Sequence, residues 1–288
     1  MVSVPRVKLL LILILIVAAP LLIYHSRRVP EPGSDVRVTK VPEDVKKVLG
    51  TTPIENNINV RIPILLYHYV EYVQDKKDTI RQSLNIPPYV FASQIETLKN
   101  AGYNFVTTSD VAKAINGGSK LPQNPVVLTF DDGYMDFYTD VFPILKKENV
   151  RAEEYIISDF LNRPNFMFTF QVKDIARSGL VEIGAHTEDH VWLKGMPKKR
   201  AELQIFQSRE VIEKITGRPV LSFAYPYGAF DQQTIELTRE AGYTNAVSTI
   251  PGIEDNKNNE YYMYRIRPGY RTGKELLNYL KQNIFKAY

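Results

Sequence analysis

The sequence predicts an α/β fold, a barrel of parallel strands wrapped by helices, on three observations. Short β-prone apolar runs alternate with longer amphipathic segments over about 230 residues from position 59 onward. The strand-like runs number eight, which favours a closed barrel over an open sheet. The polar residues best suited to chemistry follow the ends of apolar runs, where a barrel exposes its loops.

Ahead of the barrel, residues 9–24 form an uninterrupted apolar run between Arg6 and Lys8 on one side and His25, Arg27 and Arg28 on the other. At ~1.5 Å per residue the run reaches roughly 24 Å, against a hydrocarbon core of ~30 Å, so a membrane anchor competes with a signal peptide. The anchor is preferred, because Tyr24, His25 and Ser26 offer no small-x-small cleavage site. A buried core helix is disfavoured by the lack of a polar stripe, and basic residues on both flanks leave orientation unread. Residues 1–26 are therefore expected to be a transmembrane helix or signal. Residues 27–58, with Pro30, Pro32, Gly33, Pro42 and Pro53, have the composition of a linker, with a short helix expected over 42–49.

Within residues 59–288 the expected strands are 62–69, 104–107, 125–130, 152–157, 181–185, 220–224, 246–249 and 262–266. The clearest helices are 90–101, 134–148, 198–216, 232–241 and 273–282. A local echo supports a strand–helix repeat. Residues 100–108 and 240–248 each end a helix at an Ala-Gly-Tyr triplet and enter a strand.

Composition narrows the chemistry. Among 288 residues, 44% are hydrophobic and 24% charged, enough for a substantial core. The net charge of +4 is spread without a one-sign run, so nucleic acid is not an expected partner. No cysteine is present, which excludes disulfides, thiolate metal sites and a cysteine nucleophile. His-Glu-x-x-His, Gly-x-Ser-x-Gly and phosphate-loop signatures are absent as well.

Four strand ends carry candidate groups: His68, Asp131-Asp132-Gly133, His186-Thr-Glu-Asp-His190 and Tyr225-Pro-Tyr-Gly228. Two imidazoles and one carboxylate make a three-ligand metal site with positions left for water, and Asp132, His186 and His190 are the natural set. Their four-residue spacing brings the two histidines to one side if the loop makes a helical turn. Taken alone, the pair reads more readily as two surface histidines, and adjacent acids before a glycine commonly cap a helix or make a turn. Together, one carboxylate on a metal and its neighbour free would supply a Lewis acid and a general base to the same water.

These stretches resemble three motifs of the polysaccharide deacetylase family, that of the NodB homology domain and carbohydrate esterase family 4, from about residue 62 onward. The resemblance implies a distorted (β/α)7 barrel, with Asp131 as general base and Asp132, His186 and His190 as metal ligands. Two departures stand out. Ala224 occupies the place where the third motif usually begins with an arginine that braces the base, and no histidine follows His190 to act as general acid. Leu65-Leu-Tyr-His-Tyr-Val70 is similar to a motif permuted to the domain start in deacetylases of poly-β-1,6-N-acetylglucosamine, which implies His68 as general acid. The alternative for His68 is a hydrogen-bonded strand-end histidine without catalytic work.

The missing arginine directs attention to Arg265 or Arg267, although both could be surface ion-pair residues. Tyr227 marks a backbone N–H suited to an oxyanion. Trp192 is expected to wall a sugar site or to pack at its rim. Glu153 and Glu154 sit in an expected strand with no partner readable from sequence. The expected activity is metal-dependent removal of acetyl groups from an N-acetylglucosamine polysaccharide outside the cytoplasm by a membrane-held enzyme. The metal is expected to be zinc, with nickel, cobalt or iron next. Peptidoglycan or chitin-like oligomers, acetylated xylan, and a non-catalytic carbohydrate-binding barrel are the alternatives.

Overall fold

A computed structural model describes residues 40–49, 58–73, 75 and 77–285. In chain order the strands are β1 (Val60–Arg61), β2 (Ile64–Tyr67), β3 (Asn104–Val106), β4 (Pro125–Asp132), β5 (Ala152–Ile156), β6 (Val181–Ala185), β7 (Ser222–Ala224), β8 (Asn245–Val247) and β9 (Glu254–Asp255). The α-helices are α1 (Glu43–Leu49), α2 (Thr79–Leu84), α3 (Pro88–Asn100), α4 (Thr108–Ile115), α5 (Phe142–Glu148), α6 (Thr169–Arg177), α7 (Lys198–Thr216), α8 (Gln232–Glu240) and α9 (Gly273–Phe285). Strands β2 to β8 form one seven-stranded parallel sheet in the order β2-β4-β5-β6-β7-β8, with β3 paired to the start of β4. β1 and β9 make a separate antiparallel pair.

The segment expected as an eighth strand, 262–266, is instead an irregular connection that joins the two edges of the sheet. Met263 bridges to Val247 of β8, and Ile266 bridges to Leu65 of β2. Backbone bonds run from Met263 to Ala246 at 2.8 Å, from Ile266 to Ile64 at 2.9 Å and from Leu66 to Ile266 at 3.0 Å. One strip of chain thus carries hydrogen bonds to both edges, leaving neither open along it.

Strand alternation sorts the core. Ile64, Val106, Val127, Tyr155, Ala224, Val247 and Met263 face inward as one buried cluster. Leu65, Leu128, Phe130, Ile156, Ile183, Phe223 and Ala246 point outward under the helices as a second, larger one. Helix α4 starts at a capping box in which Thr107 and Asp110 bond each other's backbone N–H. It and α6 complete the helical layer between strands whose connections the sequence left undetailed. The expected helix 134–148 is broken into a π-turn at Phe137–Val141 and α5, whose second residue is Pro143.

The stretch read as linker contains α1, and this helix is docked on the barrel. Val45 is fully buried with the outer core, and Asp44 accepts a hydrogen bond from the Gln232 N–H at 3.0 Å. No helix among the described residues is long and apolar enough to cross a membrane. The apolar run at 9–24 lies outside the described residues.

Glu153 finds its partners inside the barrel. Its carboxylate accepts from the Thr108 N–H at 2.7 Å and the Tyr155 hydroxyl at 2.7 Å, and it pairs in register with Glu182 on β6. Burial first, and then the Glu182 charge, push its pKa from 4.5 to about 8. Between those values the folded state binds a proton that the unfolded chain has released, so stability falls as pH rises from about 4.5 to about 8. Glu153→Gln, which carries no titrating proton, is expected to flatten that decline in urea unfolding curves measured across the range.

Candidate active site

β4 ends in the two aspartates, and the chain then turns sharply. Asp132 has φ +88°, a left-handed value unfavourable for a non-glycine residue. Eight non-glycine residues in the described structure have positive φ. Four are asparagines, and the other four are Asp132, Thr187, His190 and Tyr227. Unfavourable backbone is thus gathered in three loops at one end of the barrel, as expected where geometry is set by a site and not by local preference. The Tyr227 turn also depends on Gly228 at φ +67°, where a Cβ would stand 2.2 Å from the Thr249 Oγ1.

These turns bring Asp132, His186 and His190 together. The Asp132 Oδ1 lies 3.4 Å from the His186 Nε2 and 3.3 Å from the His190 Nε2. All three residues are buried, and their ligating atoms lie within 4.8 Å of one another. The His186 Nδ1 is 2.7 Å from the Ala224 carbonyl oxygen, to which it can only donate, so in the neutral ring the lone pair is on Nε2, facing the cluster. Burial opposes the charge on Asp132, but the two histidines and His68 outweigh it and hold the carboxyl well below the usual range. His186 is opposed by burial too, and Asp132 and Asp131 raise it. The Asp132 Oδ1 has no hydrogen-bond donor although it is buried and charged. A carboxylate oxygen with two imidazole nitrogens converging on it fits a small divalent cation with nitrogen and oxygen ligands.

Asp131 has a different environment. The Arg265 guanidinium meets it in a two-pronged pair at 2.8 and 2.7 Å, with both side chains buried. Arg265 is itself held by the Ser248 carbonyl at 2.8 Å and the Thr129 hydroxyl at 3.2 Å. Burial would raise the Asp131 pKa, but Arg265, with help from His186 and His68, brings it below its ordinary value. Of the two arginines singled out in the sequence, Arg265 is thus the one on Asp131. Arg267 lies beside His68 instead, its Nη1 3.5 Å from the His68 Nδ1. Ala224 is fully buried in the inner cluster, so the small residue in the third motif coincides with a guanidinium delivered from the closing segment.

His68 sits at the end of β2, 7% exposed, in the same mouth. Tyr227 packs its ring 4.6 Å from that of His190, and Trp192 stacks on Tyr227 at 6.0 Å while remaining 40% exposed. Trp192 therefore belongs to the rim and not to the core.

Sequence reasoning missed Asp136. This buried side chain accepts the Val70 N–H at 2.5 Å, tying the loop after Asp132 to the segment just beyond His68. Burial pushes its pKa up to about 7. Glu154 is buried on the neighbouring strand, where burial and the charges of Asp136, Asp131 and Asp132 push its pKa well up. The only signal for Asp136 was an acid four residues after Asp132, in a stretch that reads as ordinary helix.

Comparisons with known proteins agree with this arrangement. Residues 118–246 match the polysaccharide deacetylase family, a span that contains both aspartates and both site histidines but neither His68 nor Arg265. YxkH of Bacillus subtilis is 27% identical over 72% of this chain and 71% of its own length. The poly-β-1,6-N-acetyl-D-glucosamine N-deacetylase of Staphylococcus aureus (strain MRSA252) is 24% identical over 91% of this chain and 92% of that protein. The Streptococcus pyogenes deacetylase PplD, solved in complex with acetate, superposes with a TM-score of 0.72 at 25% identity, covering 80% of this chain and 100% of that one. Residues 118–246 thus carry the match to the polysaccharide deacetylase family, and a solved deacetylase shares the surrounding fold.

Proposed function

We propose that this protein is a metal-dependent hydrolase that removes N-acetyl groups from an N-acetylglucosamine polymer, with poly-β-1,6-N-acetylglucosamine as the favoured substrate. The observation that carries the reading is the meeting, in one barrel mouth, of a three-residue ligand set and a separate buried carboxylate with its own arginine. Similarity to the Staphylococcus aureus enzyme over nearly all of both chains supports the choice of polymer.

Asp132, His186 and His190 would hold a divalent cation, zinc first and nickel, cobalt or iron after it, which supplies Lewis acidity to a water and to the acetyl carbonyl. Asp131 is the general base. Arg265 keeps its carboxylate ionised and aimed, so the proton is received at a defined oxygen. His68, on the adjacent strand, gives a proton to the departing amine, and Arg267 and the Asp136 tether fix its position. The Tyr227 backbone N–H offers a hydrogen bond where negative charge develops on the acetyl oxygen. The product amine is cationic at neutral pH, so the reaction changes the charge of the polymer. The apolar run at 9–24 gives the catalytic domain a membrane anchor, with that domain on the extracytoplasmic side.

Metal analysis and amine release from β-1,6- and β-1,4-linked N-acetylglucosamine oligomers test the reading. About one metal per chain and faster release from the β-1,6 series are expected, with both metal and release lost in His190→Ala. A metal-free chain that binds sugar without releasing amine would establish a non-catalytic carbohydrate-binding barrel instead.

A further inference from the structure

Six aromatic side chains among the described residues are exposed: Tyr72, Tyr89, Phe168, Phe170, Trp192 and Tyr270. All six stand on loops that leave the mouth end of the barrel or on the first turn of the helices that follow. Such clustering of apolar surface marks a binding face, because scattered exposure would put rings at both ends. Five of the six also have a stacked aromatic neighbour. Tyr72 and Tyr89 lie 6.5 Å apart with their planes 24° off parallel, and each is about 60% exposed. Trp192 lies on Tyr227, which in turn touches His190.

The two pairs flank the site from opposite sides. Tyr72 follows β2 and His68, whereas Trp192 follows β6 and His190. Around the barrel, β4 and β5 separate those strands one way, and β7, β8 and the closing segment separate them the other way. Each pair thus stands beside a site histidine, Tyr72 in the loop that begins with His68 and Trp192 two residues after His190, on separate sides of the mouth. Aromatic rings held flat at a surface suit sugar rings, whose axial C–H groups form an apolar face and whose hydroxyls reach outward to water and to a tyrosine O–H.

We propose that Tyr72–Tyr89 and Trp192–Tyr227 are two sugar-stacking platforms, and that a stretch of polymer several sugars long lies across the mouth between them, with one acetamide over the metal-ligand cluster. This rests on the carbohydrate reading above and adds that the enzyme acts within a chain, not on a single terminal sugar. The Phe168–Phe170 pair, stacked at 5.7 Å after β5, carries no hydroxyl and stands beside none of the site histidines in the chain.

The test compares kcat/KM for six-sugar and two-sugar N-acetylglucosamine oligomers in the full chain and in Tyr72→Ala/Tyr89→Ala. Leu203→Ala, at an exposed apolar position on α7, serves as reference. The native protein is expected to favour the longer oligomer, and the double variant to lose about tenfold of that preference, chiefly through KM, as expected for one lost stacking contact. An unchanged preference in the double variant overturns the platform and leaves the deacetylase reading standing. Failure of the native protein to release amine from either oligomer removes the deacetylase reading itself. Loss of binding to phosphatidylglycerol vesicles in the double variant, with the length preference retained, overturns the platform in favour of a lipid-facing surface.

Discussion

Asp131→Asn is expected to lower kcat for amide hydrolysis by about 10²–10⁴-fold while the protein keeps its metal. The amide cannot accept a proton, so the attacking water loses its base. The three ligands sit on other atoms and remain in place, because Asp132, His186 and His190 converge without help from Asp131. Metal analysis and turnover should therefore separate in this variant. Joint loss of metal and activity would show Asp131 to be a ligand and would sink its role as base. Thermal unfolding of the same sample guards against a trivial cause, since Arg265 is left facing a neutral partner.

Arg265→Ala should have the largest effect on stability and a distinct effect on pH dependence. Removing one member of a fully buried ion pair leaves the other charge unsatisfied, at a cost of about 3–5 kcal/mol. The sign for activity follows from linkage. Asp131 is held below its ordinary pKa chiefly by Arg265 against burial, so without the guanidinium burial dominates and the carboxyl titrates higher. The stability that this pair contributes is present above the unfolded value of 3.8 and is lost as pH falls through the folded pKa. Accordingly, the acid limb of kcat/KM should move to higher pH in Arg265→Ala. Arg265→Lys should recover only part of the loss, because one ammonium cannot span both carboxylate oxygens together with the Ser248 carbonyl and the Thr129 hydroxyl. An unmoved acid limb would mean that Arg265 is structural only.

The most legible part of the site was the set of polar groups at strand ends. Asp131, Asp132, His186 and His190 each follow an apolar run, and a barrel leaves little else for such residues to do. Arg265 and Arg267 could not be separated in the sequence, because residues two apart on an extended segment point to the same side. Depth decides between them, and depth is set by how far the closing segment enters between β8 and β2. That segment also escaped the strand rules. Its backbone pairs through isolated bridges, whereas its apolar residues look like those of any buried strand. Glu153 was obscure for another reason, since one of its donors, the Thr108 N–H, comes from a helix start 45 residues earlier in the chain. Docking of α1 turns on Val45 and Asp44 meeting the barrel, which linker-like composition does not disclose.

Ring closure and charge placement are assigned to one strip of backbone. In chain order residues 263–266 follow every strand of the sheet, so the seam between β2 and β8 forms only after both strands have been made. Until then Asp131 has no cationic companion and the two free sheet edges remain unsealed. Sealing of the barrel is thereby coupled to ignition of its chemistry.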